Sequence, residues 1–216
     1  MPLSNAKKYF TLERINCLLM KLEKIRPQQI GPMRRVGPKC DGGYVVPHSF
    51  PSVSTLISFG LGDNWEFEKQ LIKERLIKKF LIFDHTVCLS SLSFKLLKRL
   101  NCNFSLRAVA YRTLILVRYV VDFKLKKYTH IRKEITENQS SFTKTNLIEI
   151  CGNLPDEKFV LKIDIEGGEY FLIDQICRFN QQIPLLIIEF HKTDINELNF
   201  ENALKKLKKN FIISHT

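Results

Sequence analysis

The chain has 216 residues, 44% of them hydrophobic and 26% charged, enough for one domain with a full core and too few for two of ordinary size. That composition excludes collagenous, low-complexity and disordered chains. The net charge of +12 is concentrated, because Lys95 to Lys133 holds eleven Lys or Arg against one acid, Asp122; such a field attracts phosphates, nucleic acid or an anionic membrane surface, or else is a solvated face.

Leu12, Ile15, Leu18, Leu19, Leu22 and Ile25 recur at helical spacing, so an amphipathic helix is expected over the first 25 residues, ending before Pro27. A Pro/Gly-rich passage follows, in which Asp41-Gly42-Gly43 is a turn signal and Tyr44-Val45-Val46 a short strand. From Thr55 the pattern alternates strand and helix. Strands are expected at Thr55 to Phe59, Phe80 to Phe83, Phe104 to Ala110, Phe159 to Ile163, Leu185 to Phe190 and Phe211 to Ser214, with helices at Glu66 to Lys79, Leu89 to Leu100, Asn146 to Ile150, Glu169 to Arg178 and Phe200 to Lys209. This order predicts an α/β fold: a Rossmann-like, doubly wound, mostly parallel sheet with helices on both faces. One domain is expected over 1–216, with the N-terminal helical extension and the DGGY segment in 1–50 and the core in 51–216.

The N-terminus lacks the apolar core and cleavage site of a signal peptide, so a cytoplasmic location is expected. The longest apolar run, Leu114 to Val121, is broken by Arg118 and falls far short of the ~20 residues a bilayer span needs. Six cysteines with no CxxC pair read as free, mostly buried thiols.

In a doubly wound sheet ligands bind beyond the carboxyl ends of the strands, which directs attention to the residues after 59, 83, 163 and 190. Gly60-Leu61-Gly62 lets the backbone turn closely around a ligand before a helix N-terminus. Asp84 ends the second strand at about the ~20-residue separation from the glycine turn at which an acid can accept ribose hydroxyls, although it can equally cap the next helix. Asp164, Glu166 and Glu169 crowd one strand end, and alternation places Asp164 and Glu166 on one face with Lys162. Such crowding must be relieved by Lys162, a cationic ligand, a metal or shared protons. His191 leaves the fifth strand, where an imidazole can serve as general base or as an ordinary hydrogen-bonding residue.

These segments, RVGPKCDGGYVVP, LISFGLGDNWEFE, LIFDHT, LKIDIEGGEY and LLIIEFH, together resemble the FkbM-like family of S-adenosylmethionine (SAM)-dependent methyltransferases, over roughly residues 34 to 214. The resemblance implies SAM as cofactor and O-methylation of a sugar, glycan or related metabolite. It implies that Gly60, Gly62 and Asp63 line the amino-acid moiety of SAM, that Asp84 holds the ribose, and that Asp164 stands beside the transferred methyl, with Glu166 and His191 as further candidate catalytic groups. The adenine pocket is expected after the third strand, where RAVAYRT offers no clear acidic partner. No metal site is expected, since Asp164 and Glu166 alone are too few oxygen partners for magnesium.

The chain departs from that family after its sixth strand, where the final antiparallel strand is missing. The fifth strand is then expected to present a bare edge, so that either the product is truncated or another segment or subunit covers that edge. Two rival readings stand beside the first. A nicotinamide-dependent oxidoreductase would use the same turn and Asp84, but Trp65 occupies the third glycine position of its fingerprint. A degenerate, non-catalytic module would bind anionic partners through residues 95–133. No RNA-recognition motif or zinc finger supports nucleic acid there. An anionic membrane or a lipid-linked glycan is the expected contact, with a homo-oligomer as a further expectation.

Overall fold

Three segments that are buried at every residue, Thr55–Phe59, Phe159–Ile163 and Leu185–Glu189, run through the centre of the molecule, as strands covered on both faces must. The computed structural model describes residues 9–13, 27–28, 31–39, 42–49, 53–74, 77–101, 105–125, 128–138, 140–193 and 195–215. In chain order the strands are β1 (Tyr9–Glu13), β2 (Met33–Val36), β3 (Tyr44–Pro47), β4 (Thr55–Phe59), β5 (Lys79–Phe83), β6 (Thr129–Ile131), β7 (Glu134–Ile135), β8 (Lys144–Thr145), β9 (Phe159–Ile163), β10 (Leu185–Glu189) and β11 (Ile212–His215). The helices are α1 (Glu66–Lys73), α2 (Leu89–Asn101), α3 (Leu106–Tyr119), α4 (Leu147–Gly152), α5 (Glu169–Arg178) and α6 (Glu197–Leu207), and a π-helical turn, Val120–Lys124, continues α3.

Seven strands form one sheet in the order β11-β1-β10-β9-β4-β5-β6, and all its neighbours are parallel. Chain order reverses at β4, which has β5 on one side and β9 on the other. Alternation splits the core into two layers. Ile57, Phe59, Leu161, Ile163, Leu186 and Ile188 join the layer under α5 and α6, while Leu56, Val160, Leu185 and Ile187 join that of Phe67, Leu71, Leu92 and Ile115 from α1 to α3. β2 and β3 form a separate antiparallel ribbon.

Two expectations are corrected. Residues 9–13 are a strand, not part of a helix; the remainder of the expected N-terminal helix lies outside the described residues. β1 inserts between β10 and β11, pairing Tyr9 to Glu13 with Leu185 to Glu189. It therefore covers the fifth strand's edge, and does so in parallel. Ladder bonds on both sides override a helical spacing that rested on apolar residues alone, and Tyr9-Phe10-Thr11 is itself strand-forming. The segment from Phe104 to Ala110 is not the third strand: from Leu106 onward it is helix α3. Ala108, Arg112, Ile115 and Tyr119 form its inner face at helical spacing. The third strand is β6, three residues long, paired with Leu81 to Phe83.

Candidate functional site

The turn after β4 is shaped by a close approach of two chains. Gly60 has φ +89, and a Cβ there would fall 1.8 Å from the Asp164 carbonyl oxygen, so only glycine allows the ends of β4 and β9 to meet. Gly62, at φ +58, faces open space. Asp84, from the end of β5, binds this turn. Its Oδ2 accepts from the Leu61 N–H (2.8 Å) and the Gly62 N–H (3.4 Å), and its Oδ1 from the Thr86 N–H and hydroxyl (both 2.7 Å) and the Val87 N–H (3.2 Å). Burial raises the Asp84 pKa, but these donors outweigh it and hold the carboxyl below its ordinary value. Five internal donors occupy a carboxylate with about four lone-pair sites, so Asp84 serves first to fix the glycine turn.

β9 delivers Lys162 and Asp164 to one place. Lys162, 2% exposed, lies 3.3 Å from Glu68 Oε1 and 3.7 Å from Asp164 Oδ2. Burial alone would lower its pKa; Glu68 and Asp164 reverse the shift and keep it charged. The phenol of Tyr44, from β3, donates to Asp164 Oδ2 at 2.9 Å and lies 3.5 Å from Glu189 Oε2, and its ring stands 5.2 Å from the Lys162 ammonium. Its pKa is strongly raised by burial and by Asp164.

Beyond Ile163 the chain leaves the strand. Glu166 takes φ +56 and Gly167 φ +108 before α5 begins, so the extended alternation expected to align Glu166 with Asp164 stops at Asp164. Glu166 is 83% exposed, and its Oε2 lies 3.8 Å from His191 Nε2. Glu169, wholly buried at the start of α5, accepts from the Gly167 N–H at 3.1 Å and holds His191 Nδ1 at 2.7 Å. His191 Nε2 is thereby directed at Asp164 Oδ1 (3.6 Å) and Glu189 Oε1 (3.8 Å). The Glu169 hydrogen bond raises the His191 pKa to about 9 against the effect of burial, with Glu166 and Asp164 adding to it. At neutral pH this imidazole is a held cation, not a free base.

Gly60, Gly62, Asp84, Asp164, Glu166 and His191 all line one cleft of about 600 Å³ at the carboxyl ends of β4, β5, β9 and β10, within the range of roughly 300–1,000 Å³ usual for small-molecule sites. Asp63 is not among its lining residues; its carboxylate pairs with Lys95 (3.0 Å) and Arg112. Trp65 is buried, donates from Nε1 to Asp122 at 2.8 Å and packs on Tyr119 and Phe123, so the position of a third glycine is filled by core.

Lys133, Glu134 and Ile135 line the cleft after β6, beyond the reach of a sequence pattern that puts the third strand at Phe104 to Ala110. Glu189, buried at the end of β10, also lines it, although in the sequence its carboxylate reads as one more residue of a strand and Tyr44 as part of a turn. Asp164, Glu189 and His191 each bring one ligand atom within 4.8 Å of the others, a grouping that spacing alone did not bring together and that holds a divalent ion only if His191 gives up its proton.

Comparison of the chain with family models, curated proteins and solved structures finds no match.

Proposed function

We propose that the chain is a SAM-dependent methyltransferase acting on a hydroxyl of a sugar, glycan or related metabolite, related to the FkbM-like enzymes its motifs resemble. One observation carries the reading: the glycine turn, the acid ending the next strand and the Asp164 carboxylate converge on one cleft at the point where strand order reverses. The donor set suits a ligand with positive charge. Asp84, Glu134, Asp164, Glu166 and Glu189 outnumber Lys133 and His191 among the charged groups of the cleft.

In this reading the backbone at Gly60 and Gly62 receives the amino-acid end of SAM. Residues 133–135 lie where the adenine is expected, and Asp84 holds the turn against the ribose. SAM supplies an electrophilic methyl on a sulfonium. Asp164, kept in place by Tyr44 and Lys162, contacts the cofactor, orients the acceptor hydroxyl and takes its proton, while His191 holds the cluster's negative charge in balance.

Calorimetric titration with S-adenosylhomocysteine and with NAD tests the reading. Binding of the first, weakened about tenfold or more by Asp164→Asn, supports it. Binding of NAD without S-adenosylhomocysteine overturns it.

A further inference from the structure

Helices α2 and α3 carry an apolar face that nothing in the described fold covers. Eleven of the fifteen exposed large apolar side chains among the described residues lie between Leu89 and Leu125. On α3 and its π-helical continuation, Leu114, Val117 and Val121 follow one another at helical spacing, with Leu106, Tyr111 and Leu125 flanking them. The inward residues of the same helix are Ile115 and Tyr119, so α3 has two apolar sides and uses only one of them in the core. Phe94, Leu97 and Leu100 are likewise exposed on α2, which packs against α3.

Basic residues are interleaved with this face. Lys98, Arg99, Arg107 and Lys124 are exposed, and no carboxylate pairs with them among the described residues. The only acid in the stretch, Asp122, is buried against Trp65 and Lys69. Lys95 and Arg112 are drawn inward to Asp63, which leads from the glycine turn into α1. The face is thereby tied to the turn whose Gly60 and Gly62 line the cleft.

A partner for this face must accept aliphatic side chains and cations together. A second copy would bring two like-charged faces into contact. Nucleic acid would satisfy the cations and leave the leucines and valines in water. No helix among the described residues is long and apolar enough to cross a membrane, so the helices would lie in the bilayer interface, apolar side inward and basic groups at the lipid headgroups.

We infer that α2 and α3 dock the protein on an anionic lipid surface, which brings the cleft to the membrane. The inference does not depend on the cleft's ligand.

The test is co-sedimentation of the full chain with vesicles of 70:30 phosphatidylcholine and phosphatidylglycerol against vesicles of phosphatidylcholine alone. Partitioning is expected to be at least about tenfold stronger on the anionic vesicles and to fall as NaCl rises from about 0.1 to 0.5 M. Leu114→Glu with Val117→Glu, and separately Lys98→Glu with Arg99→Glu and Arg107→Glu, should each abolish it while far-ultraviolet circular dichroism is unchanged. A tryptophan introduced by Tyr111→Trp should shift its emission to the blue on anionic vesicles. Equal sedimentation with both vesicle types, or no emission shift, overturns the inference. So does a dimer by light scattering that Leu114→Glu dissociates without any vesicle binding, or RNA binding that survives the two glutamates.

Discussion

The Tyr44 hydroxyl donates to Asp164 Oδ2 across 2.9 Å, joining the β2/β3 ribbon to the end of a central strand 120 residues later in the chain. A hydrogen bond to a charged group is worth about 1.5–3 kcal/mol. Tyr44→Phe should therefore lower the unfolding free energy by about that amount in urea. It should also weaken S-adenosylhomocysteine binding, because Asp164 loses its fixed orientation. Unchanged values for both would mean that the phenol positions nothing.

Lys162 stands between Glu68 and Asp164 with almost no solvent. Lys162→Met leaves Glu68 buried without its cation and should destabilise the protein by about 3–5 kcal/mol. Combining it with Glu68→Gln removes the orphaned charge. The double variant is expected to be more stable than Lys162→Met alone, a comparison read directly from denaturation midpoints.

The carboxylates around His191 make stability depend on pH. Its pKa is raised from 6.5 to about 9, so the contribution is fully present below about pH 6.5 and is lost as pH rises through about 9. The upper bound is on the order of 3 kcal/mol. Melting temperature should fall between these limits in wild type and fall less in His191→Gln. NMR titration of the imidazole gives the pKa directly, and a value near 6.5 would exclude the clamp.

β1 lies between β10 and β11, so proline within it removes a ladder hydrogen bond from an interior strand. Thr11→Pro should cost about 3 kcal/mol or more. Deleting residues 1–13 should bare the edges of both neighbours and promote aggregation. A deletion variant that stays monomeric with an unchanged melting temperature would show that β1 contributes nothing to the sheet.

Local pattern alone placed β4, β9 and α5 with their observed boundaries or nearly so, since continuous apolar runs and helical spacing are settled over a few residues. It also brought Gly60, Gly62, Asp84, Asp164 and His191 forward as strand-end residues, because a doubly wound sheet converts chain order into position. Helical spacing misled at residues 9–13, and the short apolar run from Phe104 to Ala110 read as a strand. In both places the outcome depends on neighbours remote in sequence: two strands offering free ladders to Tyr9–Glu13, and a core into which Ile115 and Tyr119 fit as one helical face.

The site divides in the same way. Residue type and spacing by themselves determined that glycines, an acid and a carboxylate cluster would end adjacent strands. Only the tertiary structure decided that Tyr44 would reach Asp164, that Glu169 would turn His191 into a held cation, and that Asp84 would spend its oxygens on the glycine turn. Those contacts join segments from 22 to 120 residues apart, and hydrogen bonds and charge pairing depend on distance in space, which no local pattern encodes.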